Sequence, residues 1–470
     1  VPRAWAHQQR DLLQFDARTP PSMTGDPRRD APAGDTDEDA PEGEPSGTAR
    51  DRDTSGTAQH GDTVRTAPDG DAGGASGSSS HSTWGLIVGA SLVSTGLAAY
   101  EIVPASVTPV IRTSLGIGPA AAGLIVGVMF GAAVVSSIPV GIALDRRDSR
   151  RALGLAVLAL LVAGAWGWQA GRTGDFVAVL ASRVLGGVAY VVVWNAGIDL
   201  VSRGVDPAYR ATAVGIFTAS GPLGFALGLG AGPLVTDAFG WPAIFLAFTG
   251  VTMLGLAVFW PASRGVAARQ ADPPTLREFG AVLRNRHVWQ VCTLGFLGYA
   301  LYLFVNSWGS TYLTDEVGLS LAASGLLVAA FPAVGVLSRV ASGVVSDRLF
   351  GGRRRPVVLA SFGIAAPLVL VVPHARPVAL LVPVLLLSGF AVQLTLGLSF
   401  SYVREVVDPA LAASAVAVLT SLGLAGAFLA PIAGGAVIDA AGFPIAFAVA
   451  AAMAGLGVAL ALRLPEPASW

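Results

Sequence analysis

Three ionisable side chains lie inside long apolar stretches of the sequence, where a charge is unfavourable and usually has a function. Glu101 lies in TGLAAYEIVP, Arg183 in LASRVLGGVAY and Arg339 in GVLSRVASG. A buried carboxyl group can exchange a proton, and the planar guanidinium group of arginine can hold a carboxylate or an oxyanion through two hydrogen bonds. These residues therefore indicate proton exchange and anion binding.

Glu101 and Arg183 are expected at similar depth, each in the outer half of its helix. Arg183 heads a stripe at helical spacing that continues with Gly187, Tyr190 and Trp194. Burial and a neighbouring arginine act in opposite directions on the pKa of a carboxyl group, a balance that suits proton exchange. Two alternatives are a static buried ion pair that fixes helix packing, and contact with lipid headgroups or cavity water.

Arg339 lies near the middle of its helix and has no acidic partner in the apolar stretches of the second half of the chain. An uncompensated cation in a cavity favours an anion anchor. The alternatives are a pair with Glu101 across the two halves and contacts with backbone carbonyls. Further polar or aromatic candidates, each also compatible with a hydrogen bond between packed helices, are Tyr100, Asn195, Tyr302, Asn306, Trp308, Gln393 and Thr395.

The elements that carry these residues are predicted to be membrane-spanning helices. The chain is 53% hydrophobic and 13% charged, whereas soluble domains carry about 25% charged residues. Twelve apolar stretches are each long enough to cross about 30 Å of hydrocarbon. They lie at 84–111, 119–143, 152–171, 176–201, 209–237, 243–262, 288–313, 322–346, 356–373, 377–403, 411–438 and 444–462. The fold class is therefore an all-α polytopic membrane protein.

Charge divides the chain and sets its orientation. Residues 1–83 hold 8 Arg and 15 acidic residues and almost no aliphatic runs, which predicts a disordered acidic tail with an alternative role in partner binding. The remaining arginines lie almost all in one set of loops, and the opposite loops hold only Arg112, Arg172 and Arg376. By the positive-inside rule both termini are expected in the cytoplasm, with the helices in the cell membrane.

No metal site or cofactor is expected. Cys292 is the single cysteine, the five histidines show no ligand spacing, and no phosphate-binding Gly-x-x-x-x-Gly-Lys motif occurs. A nucleotide-driven pump is therefore not indicated. A membrane enzyme would need paired carboxylates, a Ser/His pair or a metal constellation, and the apolar stretches do not provide one.

The sequence repeats itself at an offset of 202 residues. DPAYRATAVG at 206–215 matches DPALAASAVA at 408–417, and Gly116, Gly240 and Asp145 match Gly318, Gly442 and Asp347. Six helices separate the copies, so the copies lie parallel across the membrane. Transporters built from such repeats hold their substrate between the halves near the membrane centre.

The repeat and its loop signatures resemble the major facilitator superfamily over residues 84–463. The signatures are GIALDRRDSRR (141–151), GVVSDRLFGGRRR (343–355), the Arg-x-x-x-Gly of the fourth helix, and the GW-x-x-x-F junction after the fifth. The resemblance implies two six-helix bundles, alternating access, and a proton-coupling role for Arg183. It also implies a cytoplasmic latch that stabilises the outward-open state, formed by Gly141, Asp145, Arg146, Gly343, Asp347 and Arg348. The alternative for these loops is that their arginines only set the topology.

The expected organisation follows from these boundaries. Residues 84–262 and 288–463 form the two bundles, 263–287 a cytoplasmic loop between them, and 464–470 a short tail. The loop contains TLREFGAVLRNRHVW, a basic amphipathic segment that is either a tether for rocking bundles or a passive surface helix.

The predicted function is secondary transport of a small solute by alternating access, with protons as the coupling ion, in a monomer. Arg339 favours a small organic or inorganic anion as the substrate. Glu101 in the first helix favours the alternative, a drug/proton antiporter for lipophilic cations. A different class of function is a sensor or scaffold that keeps the fold without transport.

Overall fold

The computed structural model of the protein describes residues 76–145, 147–266, 276–375 and 377–466. Residues 1–75 of the predicted tail, and Arg146 of the predicted latch, lie outside these residues. The last part of the predicted tail, 76–83, is helical and begins the first span, so the tail was predicted too long. Every regular element within the described ranges is helical. Eleven of the helices are long and apolar enough to cross a membrane. The longest has a non-helical φ of 80° at Gly442 and so contains two spans, which confirms the predicted all-α polytopic fold of twelve spans.

We number the spans α1–α12 in chain order. Three special features are a short helix at Thr108–Leu115 after α1, a surface helix at Leu276–Arg284 before α7, and a π-helical turn at Val345–Leu349 that ends α8. The spans α1–α6 are Ser76–Ser106, Pro119–Asp145, Ser149–Thr173, Phe176–Arg203, Arg210–Phe239 and Ala243–Ala262. The spans α7–α12 are Arg286–Asp315, Leu321–Ala333 with Gly335–Val344, Arg355–Val371, Val378–Glu405, and the segments 412–441 and 443–461 of Ala412–Ala461.

The two halves repeat in conformation as well as in sequence. Gly116 and its repeat mate Gly318 have φ values of 62° and 79°, and Gly240 and its mate Gly442 both have φ of 80°. Residues with a side chain rarely adopt this left-handed region, so glycine permits the same turn at matching places in both halves. The 6+6 repeat predicted from the sequence is thus present in the backbone.

The halves are in close contact on the face of the membrane that carries Gly116 and Gly318. A Cβ atom on Gly123 of α2 would lie 2.2 Å from the carbonyl oxygen of Pro431 in α11, and one on Gly325 of α8 would lie 2.5 Å from that of Leu229 in α5. These two contacts are related by the 202-residue offset. A salt bridge of 3.7 Å between Arg112 and Asp315 also joins the halves there. This face is closed.

The opposite, arginine-rich face is open between the halves. Gly141 and Gly343 of the predicted latch each have open space where a Cβ atom would point. Asp347 binds Arg354 of its own half at 2.7 Å, and Arg354 binds Glu405 at 2.8 Å. Hydrogen bonds from Arg354, first to Glu405 and also to Asp347, hold its pKa above the usual range. The latch across the two halves stays a prediction, since the side chain of Asp145 is not described.

The surface helix Leu276–Arg284 is fastened to the second half. Val282 is buried, Trp289 Nε1 donates a hydrogen bond to the carbonyl of Leu283 at 2.8 Å, and Asn285 Nδ2 donates to that of Val406 at 3.0 Å. The predicted tether function depends on residues 267–275 as well, which lie outside the described ranges, and it stays a prediction.

Candidate substrate site

Arg183 of α4 is completely buried and donates to backbone carbonyls instead of to a carboxylate. Its Nη1 donates to Tyr100 O at 2.8 Å, its Nε to Ile125 O at 3.0 Å, and its Nη2 to Glu101 O. Its guanidinium carbon lies 4.7 Å from the centre of the Tyr100 ring. The predicted ion pair with the Glu101 carboxylate is not formed, although the two residues are neighbours.

Arg183 binds backbone carbonyls because of Pro104, which lies in α1 three residues after Glu101. Pro104 has no N–H, so the carbonyl of Tyr100, four residues earlier, cannot receive its helical hydrogen bond. In hydrocarbon no water replaces that donor. Arg183 supplies this donor to the carbonyl of Tyr100. Its other N–H groups donate to the carbonyl of Glu101 in α1 and to that of Ile125 in α2. Arg183 therefore fixes the end of α1, and with it the position of Glu101.

Replacing Arg183 by leucine is expected to destabilise the folded protein by about 3 kcal/mol, because three buried carbonyls lose a donor at about 1 kcal/mol each. Thermal unfolding in detergent measures this loss. Arg172→Gln, at an exposed helix end, serves as the matched control. In a Pro104→Ala background the restored N–H donates to Tyr100 O, so Arg183→Leu should be less destabilising there. An equal loss of stability from Arg183→Leu in the unmodified protein and in Pro104→Ala would contradict this role for Arg183.

Glu101 is buried, with 3% of its surface exposed. Across the described residues its carboxylate accepts no hydrogen bond and forms no ion pair. It interacts electrostatically with Arg183 and with Tyr190, Tyr299 and Tyr302. Within the described residues the carboxyl group has no counterion in contact.

Arg339 of α8 is half-buried and unpaired within the described part of the chain. Its Nε is buried without an acceptor, and its side chain forms neither a hydrogen bond nor a salt bridge there. It interacts electrostatically with the same tyrosines, Tyr190, Tyr299 and Tyr302. Within the described residues the two alternatives to an anion anchor, a pair with Glu101 and contacts with backbone carbonyls, are not formed.

Five residues therefore make up one central cluster, which we define as Glu101, Tyr190, Tyr299, Tyr302 and Arg339. The first half contributes Glu101 and Tyr190, and the second half contributes the other three. The cluster holds one carboxyl group, one guanidinium group and three phenol groups that can donate or accept hydrogen bonds. It can bind a small polar solute that carries a negative charge.

A stack of three aromatic rings closes the cluster on the side of the closed face. The ring of Tyr302 lies 5.4 Å from that of Phe225 in α5 and 5.8 Å from that of Phe331 in α8, at interplanar angles of 21° and 26°. Tyr299 and Arg339, in contrast, are partly exposed. The cluster is therefore reached from the arginine-rich face.

The other predicted candidates support the helices around the cluster. Gln393 Nε2 donates to the carbonyls of Phe331 and Pro332, both at 3.3 Å, and a Cβ atom on Gly335 would overlap its amide at 1.7 Å. Asn306 Nδ2 donates to Tyr302 O within α7 at 2.7 Å.

Four more candidates also lie outside the cluster. Tyr100 packs against Arg183, and Trp308 donates to Pro431 O at 3.0 Å. Thr395 donates to Ser361 of α9 at 2.7 Å, and Asn195 is exposed.

Sequence reasoning named Tyr190 only as part of a stripe and did not name Tyr299. A compositional signal was present: the chain has seven tyrosines, and Tyr299 and Tyr302 are three residues apart in α7, on neighbouring positions of one helix face. Phe225 and Phe331 carried no such signal, because each is one phenylalanine in a long apolar run.

Three comparisons with known proteins bear on this architecture. The probable L-galactonate transporter of Escherichia coli K12 is 24% identical over 291 residues, which is 56% of this chain and 63%, less than two thirds, of the relative. The hexuronate transporter of Bacillus subtilis 168 is 23% identical over 356 residues, or 70% of this chain and 81% of the relative. A bacterial homologue of the human lysosomal transporter Spinster, solved inward-facing and unoccupied, has the same fold, with a TM-score of 0.68 at 15% identity over 83% of this chain and 98% of that one.

The family model of the Major Facilitator Superfamily matches residues 86–431, which is more than half of the chain. The match covers the first copy of the repeat and most of the second, the motif loops of both halves and every residue of the central cluster. The chain belongs to the major facilitator superfamily, a family of membrane transporters rather than enzymes.

Proposed function

We propose that the protein is a proton-coupled secondary transporter of a small organic acid, and that sugar acids are its substrate class. The observation that carries the proposal is the unpaired guanidinium of Arg339 in α8, which interacts electrostatically with phenol groups from both halves. A carboxylate satisfies this group with two charge-assisted hydrogen bonds. The hydroxyls of a sugar acid match the phenol groups around it. Two relatives, named for L-galactonate and hexuronate, support the same class.

The solute is exchanged by alternating access, and the arginine-rich face is the cytoplasmic one. Support comes from the arginine distribution, which favours this face as the inside, and from the closed contacts on the opposite face. The described state is then inward-open, with the protein acting as a monomer in the cell membrane and both termini in the cytoplasm. Rocking of the halves about the cluster opens the outer face and closes the inner one.

Protons couple to this exchange through Glu101. Its carboxyl group lies in the cluster without an ion pair to any described residue. The same carboxyl group is the observation that favours the second candidate, an exporter of lipophilic cations, because it could bind a cation directly.

A matched pair of solutes tests the substrate class. Galacturonate and galactose have the same sugar ring. Galacturonate carries a carboxylate at the position where galactose carries a hydroxymethyl group. In liposomes holding purified protein, labelled galacturonate is expected to exchange against unlabelled galacturonate, and galactose about a hundredfold more slowly, since it lacks the partner of Arg339. Equal rates for the two would contradict the proposal. Movement of tetraphenylphosphonium without movement of galacturonate would favour the cation exporter.

A further inference from the structure

A groove of about 600 Å³ lies on the outside of the first half, at the arginine-rich end of α3 and α6. Its apolar walls include Leu155, Leu158 and Leu256, and Leu155 and Leu158 are 62% and 48% exposed. Two membrane-spanning helices form the groove, so its exposed leucines face the hydrocarbon of the bilayer. It is separate from the central cluster.

The shape of the groove suits a hydrocarbon chain. On α3 it runs from Arg151 to Leu158, about 10 Å at the rise of an α-helix, against about 15 Å for the hydrocarbon of one leaflet. Gly154 lies in its wall, where a Cβ atom would come within 2.7 Å of the Trp260 ring. Glycine therefore lets this ring lie directly on α3.

The rim of the groove carries two adjacent arginines, Arg150 and Arg151, which make different contacts. Arg150 is engaged: its guanidinium stacks on Trp260 at 3.9 Å and donates to Ser263 Oγ and to Trp260 O, both at 2.8 Å. Arg151 lines the groove, its side chain is 80% exposed, and its salt bridge with the exposed Asp148 is 3.8 Å long. An exposed pair of this length contributes little, so the charge of Arg151 remains available to a ligand.

We propose that this groove binds one anionic phospholipid, with an acyl chain between α3 and α6 and the phosphate at Arg151. Charge complementarity selects this occupant, because the cation stands where the apolar walls end and the headgroup layer begins. A basic residue at the membrane surface attracts anionic lipid by about 1 kcal/mol, which is about fivefold in affinity. Arg150 and Trp260 hold the rim in the shape that receives the headgroup.

Native mass spectrometry of the delipidated full-length protein tests the site with phosphatidylglycerol and phosphatidylcholine of identical acyl chains. Phosphatidylglycerol is expected to bind more tightly, and Arg151→Gln to weaken it about fivefold. Ala257→Trp places an indole in the groove without a change of charge and should weaken both lipids. Arg210→Gln, an exposed arginine at the same face outside the groove, is the control and should leave both affinities unchanged.

Three results would overturn the proposal: equal binding of the two lipids, an unchanged affinity in Arg151→Gln, or an equal loss in Arg210→Gln. Displacement of the lipid by millimolar inorganic phosphate would also overturn it, because the site would then bind phosphate rather than lipid. Thermal unfolding checks that the variants are folded. If Ala257→Trp is not folded, Leu155→Trp fills the same groove from the α3 side and gives the same test.

Discussion

Replacing Arg339 by glutamine is expected to lower kcat/KM for galacturonate exchange about a hundredfold or more. Two charge-assisted hydrogen bonds to a carboxylate contribute roughly 1.5–3 kcal/mol each, and glutamine retains neither the charge nor the paired geometry. The cluster offers no replacement, because within the described residues its other members are one carboxyl and three phenol groups. Initial rates of galacturonate exchange in liposomes measure the loss.

Arg339→Lys separates charge from geometry. Lysine keeps the positive charge but binds as a single point, so an intermediate rate is expected. Arg404→Gln removes an exposed arginine of the second half that lies at the arginine-rich face, away from the cluster. This variant should exchange galacturonate like the unmodified protein. An Arg339→Gln variant with an unchanged KM and rate would show that the carboxylate is bound elsewhere.

The two halves carry different residues at two matching positions of the repeat. The mates of Arg339 and Gln393 in the first half are Ser137 and Val191. The glycines and turns are shared between the halves, whereas these two positions differ. Ser137 donates to the carbonyl of Val134 in its own helix. The two halves are alike as scaffolds and differ in the groups they place at the centre.

The twelve spans and their repeat could be predicted because the bilayer acts on every residue of a span. A helix in hydrocarbon must be apolar and about 20 residues long, so composition alone locates it. Closed and open faces depend instead on single contacts between distant segments, such as Gly123 with Pro431. No local pattern in the sequence reveals such contacts, because they join segments that are far apart along the chain.

Arg183 shows where prediction of the site failed. Its nearness to Glu101 was predicted, but its partner was not. The opposite charge nearby suggested an ion pair. The guanidinium instead donates to the carbonyl of Tyr100, which receives no helical hydrogen bond because residue 104 is a proline. Both residues are visible in the sequence, yet only the packing of α4 on α1 shows that Arg183 reaches that carbonyl.

Replacing Glu101 by glutamine is expected to abolish uphill, pH-gradient-driven accumulation of galacturonate and to leave exchange at equal pH within about threefold. Glutamine has the shape of the protonated carboxyl group but cannot release a proton. No described residue donates a hydrogen bond to the Glu101 carboxylate, so the substitution breaks no contact there. Binding and the conformational change should persist while the coupling is lost.

The same liposomes measure both quantities, with an imposed pH gradient for accumulation and with equal pH on both sides for exchange. Glu316→Gln, an exposed carboxyl group at the end of α7, controls for a general effect of removing an acid and should leave both unchanged. Uphill accumulation by Glu101→Gln at the unmodified rate would exclude Glu101 as the proton carrier. Loss of both processes would place Glu101 in substrate binding instead, because exchange needs no proton but does need a formed site.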